Sequence, residues 1–178
     1  MRIVKTKLKN CLVIEPTVFE DERGFFLETY HADRYLEQAE INLPFVQDNH
    51  SRSTKNVLRG LHFQQNNPQG KLVRVVTGKV FDVAVDIRFG SSTYGKWESV
   101  ILSEENKKQF WVPPGFAHGF VVLSEVADFE YKCTEFYNPD DEACILWNDP
   151  TIDIKWPINN PILSQKDLAG IYLNELLP

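Results

Sequence analysis

Histidine is the side chain best suited to moving protons near neutral pH, and this sequence holds four: His31, His50, His62 and His118. His62 stands in the strand-like run "NVLRGLHFQ", and His118 follows a Pro-Pro-Gly turn in "VPPGFAHGF". Each could bind a metal, carry a proton, or sit hydrogen-bonded in the core. A His-x-His metal pair is spoiled at its second position. His62-Phe63-Gln64 puts a neutral amide, a poor transition-metal ligand, on the strand face of His62. Arg59 lies three residues before His62, and an arginine buried there needs an anion. Simple alternation sends Arg59 and His62 to opposite faces. A bulge at Gly60 would turn both the same way.

Other pairs share a face by spacing. Tyr131 and Tyr137 in "EYKCTEFY" are six apart, and Gln47 and Asn49 are two apart, so each pair has one strand parity. Tyrosine stays protonated at neutral pH and can give a proton from a strand. In "KLVRVVTGKVFDVAVDIR" a two-residue Gly78-Lys79 loop predicts a hairpin that pairs Thr77 with Val80 and Lys71 with Asp86. One face then carries Lys71, Asp82 and Asp86. The other carries Leu72, Val76, Phe81, Val83, Val85 and Ile87, with Arg74 as the exception. In an isolated hairpin the charged face is solvent; in a barrel it lines a polar cavity. Asp167 in "LSQKD", taken alone, reads as a helix N-cap before "LAGIY".

The elements that must position these groups are mostly strands. Runs such as "CLVIEPTVF", "GFFLETY", "VLRGLHFQ", "WESVILS", "QFWVPP" and "ILWND" are short, β-rich and separated by turn residues. That pattern predicts a sandwich or barrel. In "HADRYLEQAEI", Ala32, Tyr35, Leu36 and Ala39 fall on one helical face, and "LSQKDLAGIYLNELLP" reads as a C-terminal helix. With 178 residues and neither repeat nor linker, one domain over 1–178 is expected. The net charge of −6 argues against nucleic-acid or anionic-membrane partners. Three cysteines, Cys11, Cys133 and Cys144, without a C-x-x-C pair fit reduced thiols and a cytoplasmic location. The N-terminus has no signal-peptide apolar region, and no run approaches transmembrane length.

Taken in order, "NHSRSTKNVLRGLHFQ", "QGKLVRVVTGKVFDVAVDIRFGSSTYGKW", "LSEENKKQFWVPPGFAHGFVVLSE", "YKCTEFY", "WNDP" and "LSQKD" resemble the dTDP-4-dehydrorhamnose 3,5-epimerases over nearly the whole chain. The resemblance implies an all-β, cupin-like jelly roll with short N-terminal and C-terminal helices. It implies a homodimer needing no metal and no cofactor. The implied small-molecule substrate is dTDP-4-dehydro-6-deoxy-D-glucose, on the route to dTDP-L-rhamnose. A C4 ketone acidifies the protons at C3 and C5; a base takes one, and an acid returns it from the other face.

The resemblance assigns residues to these steps. The base is His62 with Asp167 as its carboxylate partner, and the acid is Tyr131. Lys71 meets the enolate oxygen, His118 lies on the same pattern, and Tyr137 stacks on the thymine. Arg59 and Lys71 contact the sugar or diphosphate, and Arg23 in "DERGFF" is a further diphosphate ligand, as suits a guanidinium fork. Glu28, Gln47 and Asn49 lie near the nucleotide, and Glu142 and Lys166 are additional binding positions. Asp82 is expected to tune the charge of Lys71. Cys133 departs from the Thr or Val expected there. Three other outcomes fit less of the pattern: epimerisation at C3 or C5 alone, a metal-dependent cupin enzyme, and a non-catalytic sugar-nucleotide binder.

Overall fold

Alternating side chains build two facing antiparallel sheets in the computed structural model, which describes residues 1–176. The strands are β1 (Arg2–Lys5), β2 (Leu12–Glu15), β3 (Val18–Asp21), β4 (Gly24–Leu27), β5 (Gln47–Thr54), β6 (Leu58–Gln64) and β7 (Lys71–Thr77). They continue with β8 (Lys79–Asp86), β9 (Trp97–Ser103), β10 (Gln109–Val112), β11 (Phe116–Val122), β12 (Val126–Cys133) and β13 (Glu142–Cys144). One sheet runs β1-β2-β10-β7-β12-β5 and the other β13-β6-β11-β8-β9, while β3 and β4 form a separate hairpin. This is the all-β, cupin-like jelly roll that the resemblance implies.

The main core fills the space between the sheets: Val73 and Val75 from β7, Phe110 from β10, Phe129 from β12, and Val80, Ala84, Phe120 and Val122 from the opposite sheet. Both outer faces are partly covered as well. Helix α1 (Ala32–Ala39) lays Tyr35 and Ala39 over Leu12, Ile14, Leu72 and Trp111. The C-terminal segment lays Ile145, Ile152 and Leu173 over Leu61, Val83 and Val85. Burial on both faces explains why β8 and β11 read as nearly continuous apolar runs. Among the described residues no helix is long and apolar enough to cross a membrane.

Three local expectations need correction. β7 and β8 do not pair. Each already has two partners, β10 and β12 for β7, β11 and β9 for β8. The chain therefore crosses between sheets at Gly78, whose φ of 79° and tight packing exclude a side chain. The face assignment survives the wrong register, because Lys71 and Asp82 both lie on inner faces. Asp86, at the end of the same row, instead accepts bonds from Arg88, Ser91 and Thr93 and anchors a loop. In α1, Ala32 and Leu36 stay exposed, so only the i, i+4 pair Tyr35 and Ala39 is buried. The C-terminal stretch is not one helix. It forms α2 (Gln165–Leu168), a break at Gly170, and a 3-10 turn (Leu173–Glu175); Leu177 and Pro178 lie outside the described residues.

Candidate active site

The two sheets part at one end around a cavity of about 560 Å³. From the β6 side come Arg59, His62 and His118, and from the facing sheet come Lys71, Tyr131, Gln47 and Asn49. Tyr137, Glu142, Lys166 and Asp167 complete the wall. Cross-strand register explains the grouping: Tyr131 is opposite Asn49, and Cys133 is opposite both Gln47 and Lys71. Side chains directly opposite on neighbouring strands rise on one face. Arg59 and His62 reach the same cavity through the bulge expected at Gly60. His62 pairs with His118 and Arg59 with Phe120, three steps on β6 against two on β11. Gly60 and Gly119 allow this close approach, since a Cβ on Gly60 would lie 2.6 Å from the Gly119 Cα.

Two histidine–carboxylate pairs stand side by side. His62 Nε2 donates to Asp167 Oδ1 at 2.6 Å. That oxygen also accepts the Gly60 N–H at 3.2 Å, and Oδ2 accepts the Ser164 hydroxyl at 2.6 Å. Asp167 is thus not the N-cap of α2 but its third residue. Ser164 is the cap, and the two form a capping box. Burial alone would raise the Asp167 pKa. The bonds from His62, Ser164 and Gly60 outweigh it and bring the carboxyl down to about 2. An ionised acceptor on Nε2 keeps a proton there and leaves the other ring nitrogen to exchange one.

In the second pair, His118 Nε2 bonds to Asp82 Oδ1 at 2.8 Å, and Asp82 Oδ2 has no partner among the described residues. Burial raises the pKa of Asp82 against the opposing pull of His118 and Lys71. Burial likewise lowers that of Lys71, while Cys133 and Asp82 pull it back up. Tyr131 is driven upward by burial and by Cys133, more than Arg59 offsets, so its phenol keeps its proton. At the mouth the Tyr137 hydroxyl donates to Glu142 Oε2 at 2.7 Å, and Lys166 pairs with Glu142.

Eleven of the thirteen residues that the sequence singled out line this cavity; Arg23 and Glu28 do not. Arg23 lies in the β3–β4 turn, paired with Asp21 in solvent, and Glu28 pairs with Arg34. His31 and His50 also lie outside it. Nine wall residues went unremarked, Ser164, Gln69 and Phe129 among them. Ser164 was legible as Ser-x-x-Asp, the capping-box spacing. Gln69, which donates to the Glu135 carbonyl, and Phe129, stacked 4.1 Å from Phe120, carried no local signal. Gln64 is buried and turned away, its amide on the Asn67 and Phe136 carbonyls. His62, Gln64 and His118 therefore do not converge as a His-x-His metal site would require.

An all-β jelly roll that aims imidazoles, an ammonium and a phenol into one cavity from opposed sheets belongs to the class of cupin-like isomerases. The chain belongs to the dTDP-4-dehydrorhamnose 3,5-epimerase family, whose model matches residues 5–175. It is 56% identical to the dTDP-4-dehydrorhamnose 3,5-epimerase of Salmonella typhimurium, over 99% of this chain and 98% of that one. It is also 56% identical to the enzyme of that name from Shigella flexneri, over 96% and 94%. A Legionella pneumophila dTDP-6-deoxy-D-glucose-3,5-epimerase, solved with dTDP-4-keto-L-rhamnose, superposes with a TM-score of 0.95 at 56% identity, covering 97% of this chain and 93% of that one.

Proposed function

We propose that this chain, one domain over residues 1–178, epimerises dTDP-4-dehydro-6-deoxy-D-glucose at C3 and C5 to dTDP-4-dehydro-L-rhamnose in the cytoplasm. The observation that carries the assignment of roles is the placement of His62, backed by Asp167, and Tyr131 on opposing sheets of one cavity. His62 takes the proton from the carbon beside the ketone. Asp167 keeps the ring oriented and stabilises the imidazolium that forms. Lys71 and His118 stabilise the negative charge that gathers on the C4 oxygen. Tyr131 then protonates the carbon from the other side, inverting it. The ketone itself makes the neighbouring C–H bonds acidic, so the reaction calls for no cofactor.

Arg59 and Lys71 also bind the sugar and diphosphate, with Gln47 and Asn49 along the nucleotide. Tyr137 stacks on the thymine, with Glu142 and Lys166 beside it at the mouth. Arg23 and Glu28 take part through a homodimer. The β3–β4 hairpin that carries Arg23 exposes Phe19, Phe25 and Phe26, an apolar arm suited to lying against a second copy and its cavity.

The test is incubation with the keto sugar in deuterated water, followed by NMR. Solvent deuterium at both C3 and C5, with formation of the rhamno product, is the expected result. Label at one carbon only would replace this reading with a single-centre epimerase. No label, with dTDP raising the melting temperature, would leave a sugar-nucleotide binder.

A further inference from the structure

We propose that the space behind His62 is an inhibitory site for a soft divalent cation, zinc above all, held by His62, Asp167 and Cys144. Only the consequence, loss of activity, rests on the reading of His62 as the base; the binding does not. In the register of β13 on β6, Cys144 lies directly opposite His62, so both side chains rise on one face of the sheet. Helix α2 brings Asp167 to the same place. The imidazole nitrogen, the sulfur and the carboxylate oxygen all lie within 4.8 Å of one another. Cys144 Sγ is 4.0 Å from the Asp167 oxygen that bonds His62. Asp167 and Cys144 are buried, and the partly exposed imidazole leaves a way in from the cavity.

Nitrogen, thiolate sulfur and carboxylate oxygen form a donor set that zinc accepts, with water as a fourth ligand. Ordinary zinc bond lengths set the nitrogen and oxygen about 3.4 Å apart. They are now 2.6 Å apart, so the imidazole must back away from Asp167 by roughly 0.8 Å, and the cavity in front of it has the room. Zinc would take the Nε2 lone pair, the Nε2 proton passing by way of solvent to the other ring nitrogen, and would replace the proton on the thiol, which leaves to solvent. Without the cation, burial and the charge of Asp167 keep Cys144 a neutral thiol, its pKa pushed up to about 12. The reaction described above has no use for that thiol. With zinc on Nε2, the other ring nitrogen carries the only remaining proton and has no lone pair to offer a substrate.

The experiment titrates the full chain with zinc chloride, following binding by calorimetry and turnover separately, and repeats both with Cys144→Ala and Cys144→Ser. One cation should bind per chain, more tightly as pH rises because the Cys144 thiol releases its proton. Turnover should fall in step with occupancy. Both variants should keep parent turnover without metal yet need about tenfold more zinc, or beyond, for inhibition. Cobalt(II) in place of zinc should give a thiolate-to-metal absorption band in the parent and none in Cys144→Ala, a readout independent of activity. Absence of stoichiometric binding, or equal zinc sensitivity in parent and variants, overturns the proposal. A cobalt–thiolate band with undiminished turnover overturns the inhibitory role and, separately, the assignment of His62 as base.

Discussion

The two histidine–carboxylate pairs of the cavity are built from the same groups and differ in what surrounds them. His62 keeps 27% of its side chain exposed, whereas that of His118 is 8% exposed. Asp167 comes from a helix outside the sheets and has donors on both oxygens. Asp82 lies within a central strand, fully buried, with one oxygen unpartnered. Hydrogen bonds to the charged form lower a carboxyl's pKa, and burial without them raises it. The first pair therefore holds a stable negative charge behind an imidazole that can reach substrate. The second holds a fixed polar group beside Lys71. Similar contact distances, 2.6 and 2.8 Å, do not make similar chemistry.

The strongest way to break this comparison is His62→Ala. It should lower kcat by about two to four orders of magnitude, the span of a lost general base, and leave dTDP affinity by calorimetry nearly unchanged. Near-normal turnover would transfer the base role elsewhere.

Next comes Asp167→Asn. The folded pKa of Asp167 is depressed from 3.8 to about 2. Its stabilising contribution is thus complete above about pH 4 and lost as pH falls through about 2. It amounts to on the order of 2 kcal/mol at neutral pH. Urea unfolding should show that loss in the variant at pH 7 and a smaller gap between the two proteins at acid pH. A gap independent of pH would mean that the carboxylate charge is not what stabilises.

Asp82→Asn sharpens the contrast with a smaller effect. Its folded pKa is raised, so ionisation costs stability, and removing the charge should cost less than Asp167→Asn does, about 1 kcal/mol or under. A larger loss than at Asp167 would reverse the ranking of the pairs.

The smallest change in the folded chain is expected for Arg23→Ala, which lies in solvent. Unfolding should be unaffected while KM rises. An unchanged KM would remove Arg23 from the substrate contacts and with it the use of the β3–β4 arm.

Much of the cavity was legible because it depends on local parity. Gln47 with Asn49, and the bulge that joins Arg59 to His62, follow from strand alternation and one glycine. The parities of Lys71 and Asp82 were right even though β7 and β8 were wrongly paired, since a side chain's face is set within its own strand. Pairing was not legible, because it depends on partners far along the chain: β7 meets β10 and β12, not its neighbour β8. The C-terminal helix failed at Gly170, where an added Cβ would lie 2.9 Å from the Cys144 carbonyl oxygen, a constraint invisible to periodicity. The nearness of Cys144 to His62 was hidden for the same reason, since β13 is a short strand and these two residues are 82 positions apart in the chain. Arg23 and Glu28 were named by family pattern alone, and both lie outside the cavity.

The central claim is that removal and return of the proton belong to groups on opposite walls. Tyr131→Phe, incubated with the keto sugar in deuterated water and followed by NMR, tests it most directly. Removal by His62 should persist while return from the far wall fails, so the carbon next to the ketone should exchange its hydrogen far faster than the inverted product accumulates. Exchange and inversion slowed by the same factor would contradict the account and leave Tyr131 a structural residue.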